Sequence, residues 1–309
     1  MPTEIIILGI IAAIVAGIVI FIVKKSKKDD ASSTTITINP DNSGRAPVKK
    51  ALLVGINIYK PELGADLRGC VNDVETMRKL LVDNFKFLPE NVRVLVDERA
   101  TKQGILDRLG WLLNGAKEGD ELVFHYSGHG SQVRDRNGDE LDDQLDEILC
   151  PHDLDWEDPL TDDCLAELFR QLPKGVHLTM ICDACHSGSM DRNVTVLKSA
   201  KSILPPFDIR SRSCNKILPK NRMGKKDKGT QSHVLISGCK DSQTSADAHI
   251  DGRYQGALTW ALTKTIRENT GINWREAHTK TAELLSGYSQ EPQLSGDASA
   301  IFRNVFGGK

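Results

Sequence analysis

His129 and Cys185 are the side chains best placed to carry chemistry, each set in a short glycine-bearing loop behind an apolar run. HYSGHGSQ (125–132) presents His129 between Gly128 and Gly130, and DACHSGS (183–189) presents Cys185 between Asp183 and Gly188. A cysteine attacks as its thiolate and needs a neighbouring base or cation to form one, which an imidazole supplies. Glycines beside both residues let a substrate backbone approach and leave amide N–H groups for an oxyanion. Metal binding explains the residues less well. His125 and His129 have the spacing of a zinc-binding helix, but the stretch reads as a strand and a glycine turn, and the HExxH glutamate is absent. Cys182, Cys185 and His186 lack an evident fourth ligand. Cys182 continues the apolar run and suits a buried structural role, whereas Cys185 follows a polar turn. The residue types alone leave both a thiol–imidazole dyad and a structural cysteine open.

The elements that would position these loops alternate. Strand-like runs at 51–58, 92–96, 121–126, 177–182, 233–238 and 300–305 are interleaved with helical patterns at 71–84, 102–115, 163–171, 254–268 and 274–286. Such alternation predicts an α/β fold with a mostly parallel sheet covered by helices on both faces. Ligands in such folds sit outside the carboxyl ends of the strands, which is where His129 and Cys185 fall. Residues 193–232 hold ten Lys and Arg, Lys198 and Lys201 among them, with Pro205, Pro206 and Pro219 and no periodicity. That stretch reads as a disordered surface loop, open to a protease that prefers basic residues.

Composition bounds the rest. A net charge of −2 over 309 residues gives no general pull toward nucleic acid. Seven scattered cysteines without a CxxC pair argue against a disulfide scaffold and for a reducing compartment. Residues 5–23 are apolar and uncharged, and about 19 helical residues nearly span a hydrocarbon core of about 30 Å. Lys24, Lys25, Lys27 and Lys28 follow the run and no basic segment precedes it, so a single-pass anchor (1–25) fits better than a cleaved signal. The expected arrangement is membrane-bound with the remainder cytoplasmic, joined by a polar tether at 26–47. The acidic stretch 135–147 has Asp135, Asn137 and Asp139 at EF-hand spacing, but Glu140 and Asp146 stand where that loop needs glycine and glutamate.

HYSGHG and DACHSGS, with LRGCVNDV (67–74), DEILCPHD (146–153), ISGCKDSQTSAD (236–247), GALTWAL (256–262) and QEPQLS (290–295) in order, resemble the metacaspases, caspase-like cysteine peptidases of the caspase–haemoglobinase fold. The resemblance covers about 48–306. It implies a caspase-like, mostly parallel six-stranded sheet flanked by helices, here preceded by one N-terminal transmembrane helix. Within it, 48–192 is large-subunit-like, 193–232 a basic linker and 233–306 small-subunit-like. By this resemblance Cys185 is the nucleophile, His129 the general base and acid, and the amides of Gly130 and Cys185 the oxyanion hole. Asp73, Ser127 and Asp183 form the acidic pocket that selects Arg or Lys in a polypeptide substrate. A cation held by buried carboxylates is physically reasonable, although Asp73 could instead serve the amides of its own helix end. The resemblance also implies calcium as an activator, held by Asp162, Asp163 and Asp191 with Asp143 or Asp146, though no cofactor is required for the chemistry. Self-processing in the basic linker and a monomeric state are expected. Two rivals stand beside this reading. One is a non-proteolytic caspase-like scaffold at the membrane. The other is an aspartate-selective peptidase, for which Arg68 and Arg134 are the nearest basic residues.

Overall fold

The computed structural model describes residues 36–41, 43–134, 145–185, 200–206, 233–239, 245–288 and 290–308. The chain divides into two units, Met1–Ile36 and Thr37–Lys309. All but Ile36 of the first unit lies outside the described residues, the expected span at 5–23 included.

The second unit is built on a six-stranded sheet. Its strands are β1 (Lys49–Gly55), β2 (Val92–Val96), β3 (Glu121–Ser127), β7 (His177–Asp183), β8 (His233–Ser237) and β11 (Gln293–Gly296). They lie in the order β11-β8-β7-β3-β1-β2, all parallel except β11, which runs antiparallel to β8. Ala51 to Val54 are fully buried on both faces of β1, as expected of a strand covered on two sides. On one face, Ala51, Leu53, Val123, Ile181, Val234 and Ile236 share a core with three helices: α1 (Cys70–Phe85), α4 (Ala257–Glu268) and α5 (Trp274–Leu284). Alternation sends Leu52 and Val54 to the other face, where α2 (Lys102–Leu113) packs against β1 and β2. Thr101 caps α2 by accepting from the Gly104 N–H.

Two small sheets border the large one. β4 (Gly130–Arg134), β5 (Leu145–Leu149) and β6 (Leu160–Thr161) are antiparallel, with α3 (Asp162–Arg170) directly after them. β9 (Asp247–Ile250) and β10 (Arg253–Gly256) form a hairpin. Asp251 and Gly252 both have positive φ in its turn, the conformation that an Asp-Gly pair favours.

Several expectations change. The sixth strand is not 300–305 but Gln293–Gly296, and Ala298–Ile301 forms a short helix, α6. An edge strand is paired on one side only, so QLSG carries little apolar signal. The apolar run after it instead buries Ile301, Val305 and Phe306 from helical turns. The expected tether is part of the domain from residue 37 onward. Ile38 is buried, and the Arg45 guanidinium meets both oxygens of Asp120 at 2.9 and 2.6 Å. The membrane placement is withdrawn. No helix among the described residues is long and apolar enough to cross a bilayer. The longest of them, α1, has 16 residues and exposes Glu75, Arg78 and Lys79.

Candidate active site

The carboxyl ends of β1, β3 and β7 stand side by side, with Gly55 opposite Ser127 and Ser127 opposite Asp183. The chain order reverses at β1, with β2 on one side and β3 on the other, the place where open α/β sheets form crevices. A Cβ on Gly55 would lie 2.5 Å from the Cys70 carbonyl oxygen. Its absence lets the first turn of α1 press onto the strand end and brings Asp73 to Ser127.

Asp73, Ser127 and Asp183 converge on a lysine. Lys201 Nζ lies 3.1 Å from Asp73 Oδ2, 3.1 Å from Asp183 Oδ1 and 2.8 Å from Ser127 Oγ. All four side chains are buried, Lys201 and Asp183 at 0% exposure. The carboxylates are also held by neutral donors. Asp73 accepts from Ser127 Oγ at 2.6 Å and from the Gly256 N–H. Asp183 accepts from Ser245 Oγ and from both the N–H and the hydroxyl of Thr259. Asp73 caps no amide of its own helix, so its helix-end alternative does not hold. Burial, with Asp183 adding to it, pushes Asp73 up to about 6 against the pull of Lys201. Burial also opposes ionisation of Asp183, but Lys201 and the Ser245 and Thr259 donors outweigh it and hold this carboxyl below its ordinary value. Burial disfavours the Lys201 ammonium too, and the surrounding anionic groups, Asp183 foremost, more than offset that.

The backbone around Lys201 is held like a guest strand. Its carbonyl accepts from the N–H groups of Gly130 and Cys185, both at 3.1 Å. Its own N–H donates to the Ser245 carbonyl, and the Ile203 N–H to the Gly130 carbonyl. Ser131 Oγ donates to the Ile203 carbonyl at 2.6 Å. Residues 200–206 are therefore seated within the domain, which corrects the reading of 193–232 as wholly a disordered surface loop. Residues 193–199 and 207–232 lie outside the described residues.

His129 is held by its backbone and by one ring nitrogen. Its N–H donates to Tyr59 Oη and its carbonyl accepts from Tyr126 Oη, both at 2.7 Å. Nε2 lies 2.6 Å from the Ala65 carbonyl oxygen. A carbonyl only accepts, so Nε2 carries the proton and Nδ1 the basic lone pair. Nδ1 is buried and has no partner among the described residues. Burial pushes this imidazole down to about 4, leaving it neutral and able to take a proton.

Cys185 follows β7 and is fully buried. Its Sγ accepts from the Ser245 N–H and lies 3.3 Å from Cys239 Sγ. Burial, reinforced by Cys239, pushes its thiol well above the ordinary value against the Ser245 N–H. No hydrogen bond joins Cys185 to His129. The structure therefore gathers Asp73, Ser127 and Asp183 and the N–H groups of Gly130 and Cys185 around one lysine, with the Cys185 sulfur turned to Cys239 and Ser245.

Of the five aspartates expected to hold calcium, three fall among the described residues. No group of three or more His, Cys, Asp or Glu able to hold a metal occurs among the described residues. Asp162 and Asp163 open α3, Asp146 is buried on β5, and all three have interactions within the protein. Asp143 and Asp191 lie outside the described residues.

Sequence reasoning missed Ser245, Gly256 and Thr259 as pocket donors, Ala65 and Tyr59 as holders of His129, and Lys201 as the occupant. The first three lay inside recognised blocks, QTSAD and GALTWAL, to which no role had been given. Arg68 lies outside the pocket, its guanidinium stacked 4.9 Å from the Tyr254 ring centroid.

Comparison with known proteins bears on the family and the fold. Residues 49–192 match the model of the metacaspase, peptidase C14 domain. Metacaspase-1B of Neurospora crassa is 34% identical over 284 residues, 80% of this chain and 66% of its own. Metacaspase-1 of Coccidioides immitis is 34% identical over 80% of this chain and 61% of its own. The chain thus spans less than two thirds of these two relatives, and 70% of metacaspase-1A of Aspergillus terreus, also 34% identical. A crystallised protein of Geobacter sulfurreducens superposes with a TM-score of 0.66 at 26% identity, covering 84% of this chain and 98% of that one. A relative 34% identical and covered to 70% of its length, together with the domain match over 49–192, shows the family: the chain belongs to the metacaspases.

Proposed function

We propose that this metacaspase is a cysteine endopeptidase that cuts after lysine or arginine, and that its own Lys201–Ser202 bond is a substrate. The observation that carries the reading is the seat of Lys201. Its ammonium lies between two carboxylates while its carbonyl accepts from the same two amides that an oxyanion would need. A carboxylate pair in this position repels an aspartate side chain, which disfavours the aspartate-selective alternative.

In the proposed mechanism the Cys185 sulfur leaves Cys239 and Ser245 and passes its proton to His129 Nδ1. It then attacks the carbonyl carbon while the Gly130 and Cys185 N–H groups hold the oxyanion. Collapse breaks the C–N bond, His129 protonates the leaving amine, and a thioester remains. Water, deprotonated by His129, releases the acid and restores the thiol. Self-cleavage would leave the two fragments associated, because β8 stays paired with β7. No step runs through calcium. Activation through Asp143, Asp146, Asp162, Asp163 and Asp191 is a separate proposal.

The test uses the full chain and Cys185→Ala, each incubated with calcium and with chelator. Expected are a fragment beginning at Ser202, hydrolysis of peptides ending in Lys or Arg but not Asp, and loss of both in the variant. Cleavage that persists in Cys185→Ala, or an Asp preference, overturns the reading. A folded chain silent on every peptide favours the non-proteolytic scaffold. Equal rates with calcium and chelator discard the calcium arm.

A further inference from the structure

The contact between Cys185 and Cys239 has no role in that mechanism. β7 and β8 are neighbouring parallel strands, paired through Cys182 and Ser237, and the Gly238 N–H continues the ladder to the Cys182 carbonyl at 2.9 Å. The two cysteines come three and two residues after that last pair, on loops leaving adjacent strands. Neighbouring strands lie about 4.7–4.9 Å apart, within the Cα separations of about 4.4–6.8 Å that a disulfide bridges. The sulfurs already touch at 3.3 Å, and both residues are buried. Cys182, also buried at the end of β7, has no sulfur–sulfur hydrogen bond of this kind among the described residues.

We propose that Cys239 is a resolving cysteine, which captures oxidised Cys185 as a reversible Cys185–Cys239 disulfide when the chain meets hydrogen peroxide. The chemistry balances with peroxide as the oxidant. One thiolate attacks a peroxide oxygen, the O–O bond breaks, and a sulfenic acid and hydroxide form. The second sulfur attacks the sulfenic sulfur, the S–O bond breaks, and the disulfide forms as another hydroxide leaves. The two protons given up by the thiols turn both hydroxides into water. Without a second thiol in contact, a sulfenic acid proceeds to sulfinic acid, which thiol reductants do not reverse. Formation of the bond does not depend on the peptidase reading. Only the loss of activity that would accompany it rests on Cys185 being the nucleophile.

The experiment treats the full chain with hydrogen peroxide, blocks remaining thiols with N-ethylmaleimide, and maps peptides by mass spectrometry under non-reducing conditions. The expected product is a cross-linked pair containing Cys185 and Cys239 that dithiothreitol releases. In Cys239→Ser, or Cys239→Ala should the serine variant not fold, Cys185 is expected as sulfinic or sulfonic acid, unchanged by dithiothreitol. Peptidase activity lost to peroxide should return on reduction in the native chain but not in the variant. Over-oxidation of Cys185 in the native chain, or its pairing with Cys182 or Cys214 instead, overturns the proposal. A Cys185–Cys239 bond that leaves activity untouched supports the pair and refutes Cys185 as nucleophile.

Discussion

Replacing Lys201 with methionine removes one charge from a site built around it. Methionine keeps most of the stem, so the change is chiefly the loss of an ammonium from between Asp73 and Asp183, each 3.1 Å away. Both carboxyls are buried, and among the described residues no other basic side chain is hydrogen-bonded to either. Breaking a buried pair by removing one partner costs about 3–5 kcal/mol, because the remaining charge stays out of water. At about 2–4 °C per kcal/mol for a domain near this size, Tm falls by roughly 6–20 °C. The measurement is denaturant and thermal unfolding of Lys201→Met in a Cys185→Ala background, where self-cleavage cannot intervene. The pH dependence supplies a second check. Asp73, with its folded value raised to about 6, favours the folded state below its unfolded value near 3.8 and loses that advantage as pH rises through 6. Below about 6 Asp73 is neutral in the native chain, so Lys201 has one carboxylate partner fewer to lose. The difference between native chain and variant should therefore narrow as pH falls through 6. A loss under about 1 kcal/mol at pH 7, the size of an exposed ion pair, refutes the buried seat of Lys201.

Three further outcomes follow from the same site. Alanine at Gly256 would put a Cβ 2.2 Å from both Asp183 Oδ2 and Lys201 Nζ. Gly256→Ala should therefore abolish hydrolysis after Lys and Arg while circular dichroism shows a folded chain; normal hydrolysis places the pocket elsewhere. Thr259→Val removes one hydroxyl donor to Asp183 but keeps the N–H. A hydrogen bond to a charged group contributes about 1.5–3 kcal/mol, so KM for a lysine peptide should rise by about tenfold or more with kcat little changed, and an unchanged KM counts against the role of Asp183. His129, pushed down to about 4 by burial, should remain neutral well below its ordinary value near 6.5 in an NMR titration of Cys185→Ala. Its lowered value makes the fold lose stability as pH drops below 6.5, a loss complete once pH passes about 4; titration near 6.5 would show an open, hydrated imidazole.

What the sequence determined by itself is local. The run ALLVG is apolar on both faces, as a strand covered on two sides is, and the two glycine-bearing loops stand at strand ends where such sheets bind ligands. Asp73 and Asp183 are singled out only through the resemblance of GCVND and DACHSG to metacaspase blocks, since a carboxylate in the first turn of α1 or at the end of β7 could equally serve local amides. What tertiary structure decided is which distant residues meet. Lys201 is 128 positions from Asp73 in the chain, and among ten basic residues of its segment nothing local marks it out. Only the paired ends of β1, β3 and β7 create the buried negative site that selects it. The edge strand Gln293–Gly296 was hidden because one-sided pairing requires no apolar face. The Cys185–Cys239 contact was hidden because it arises from the parallel register of β7 and β8, a consequence of pairing that neither loop carries alone.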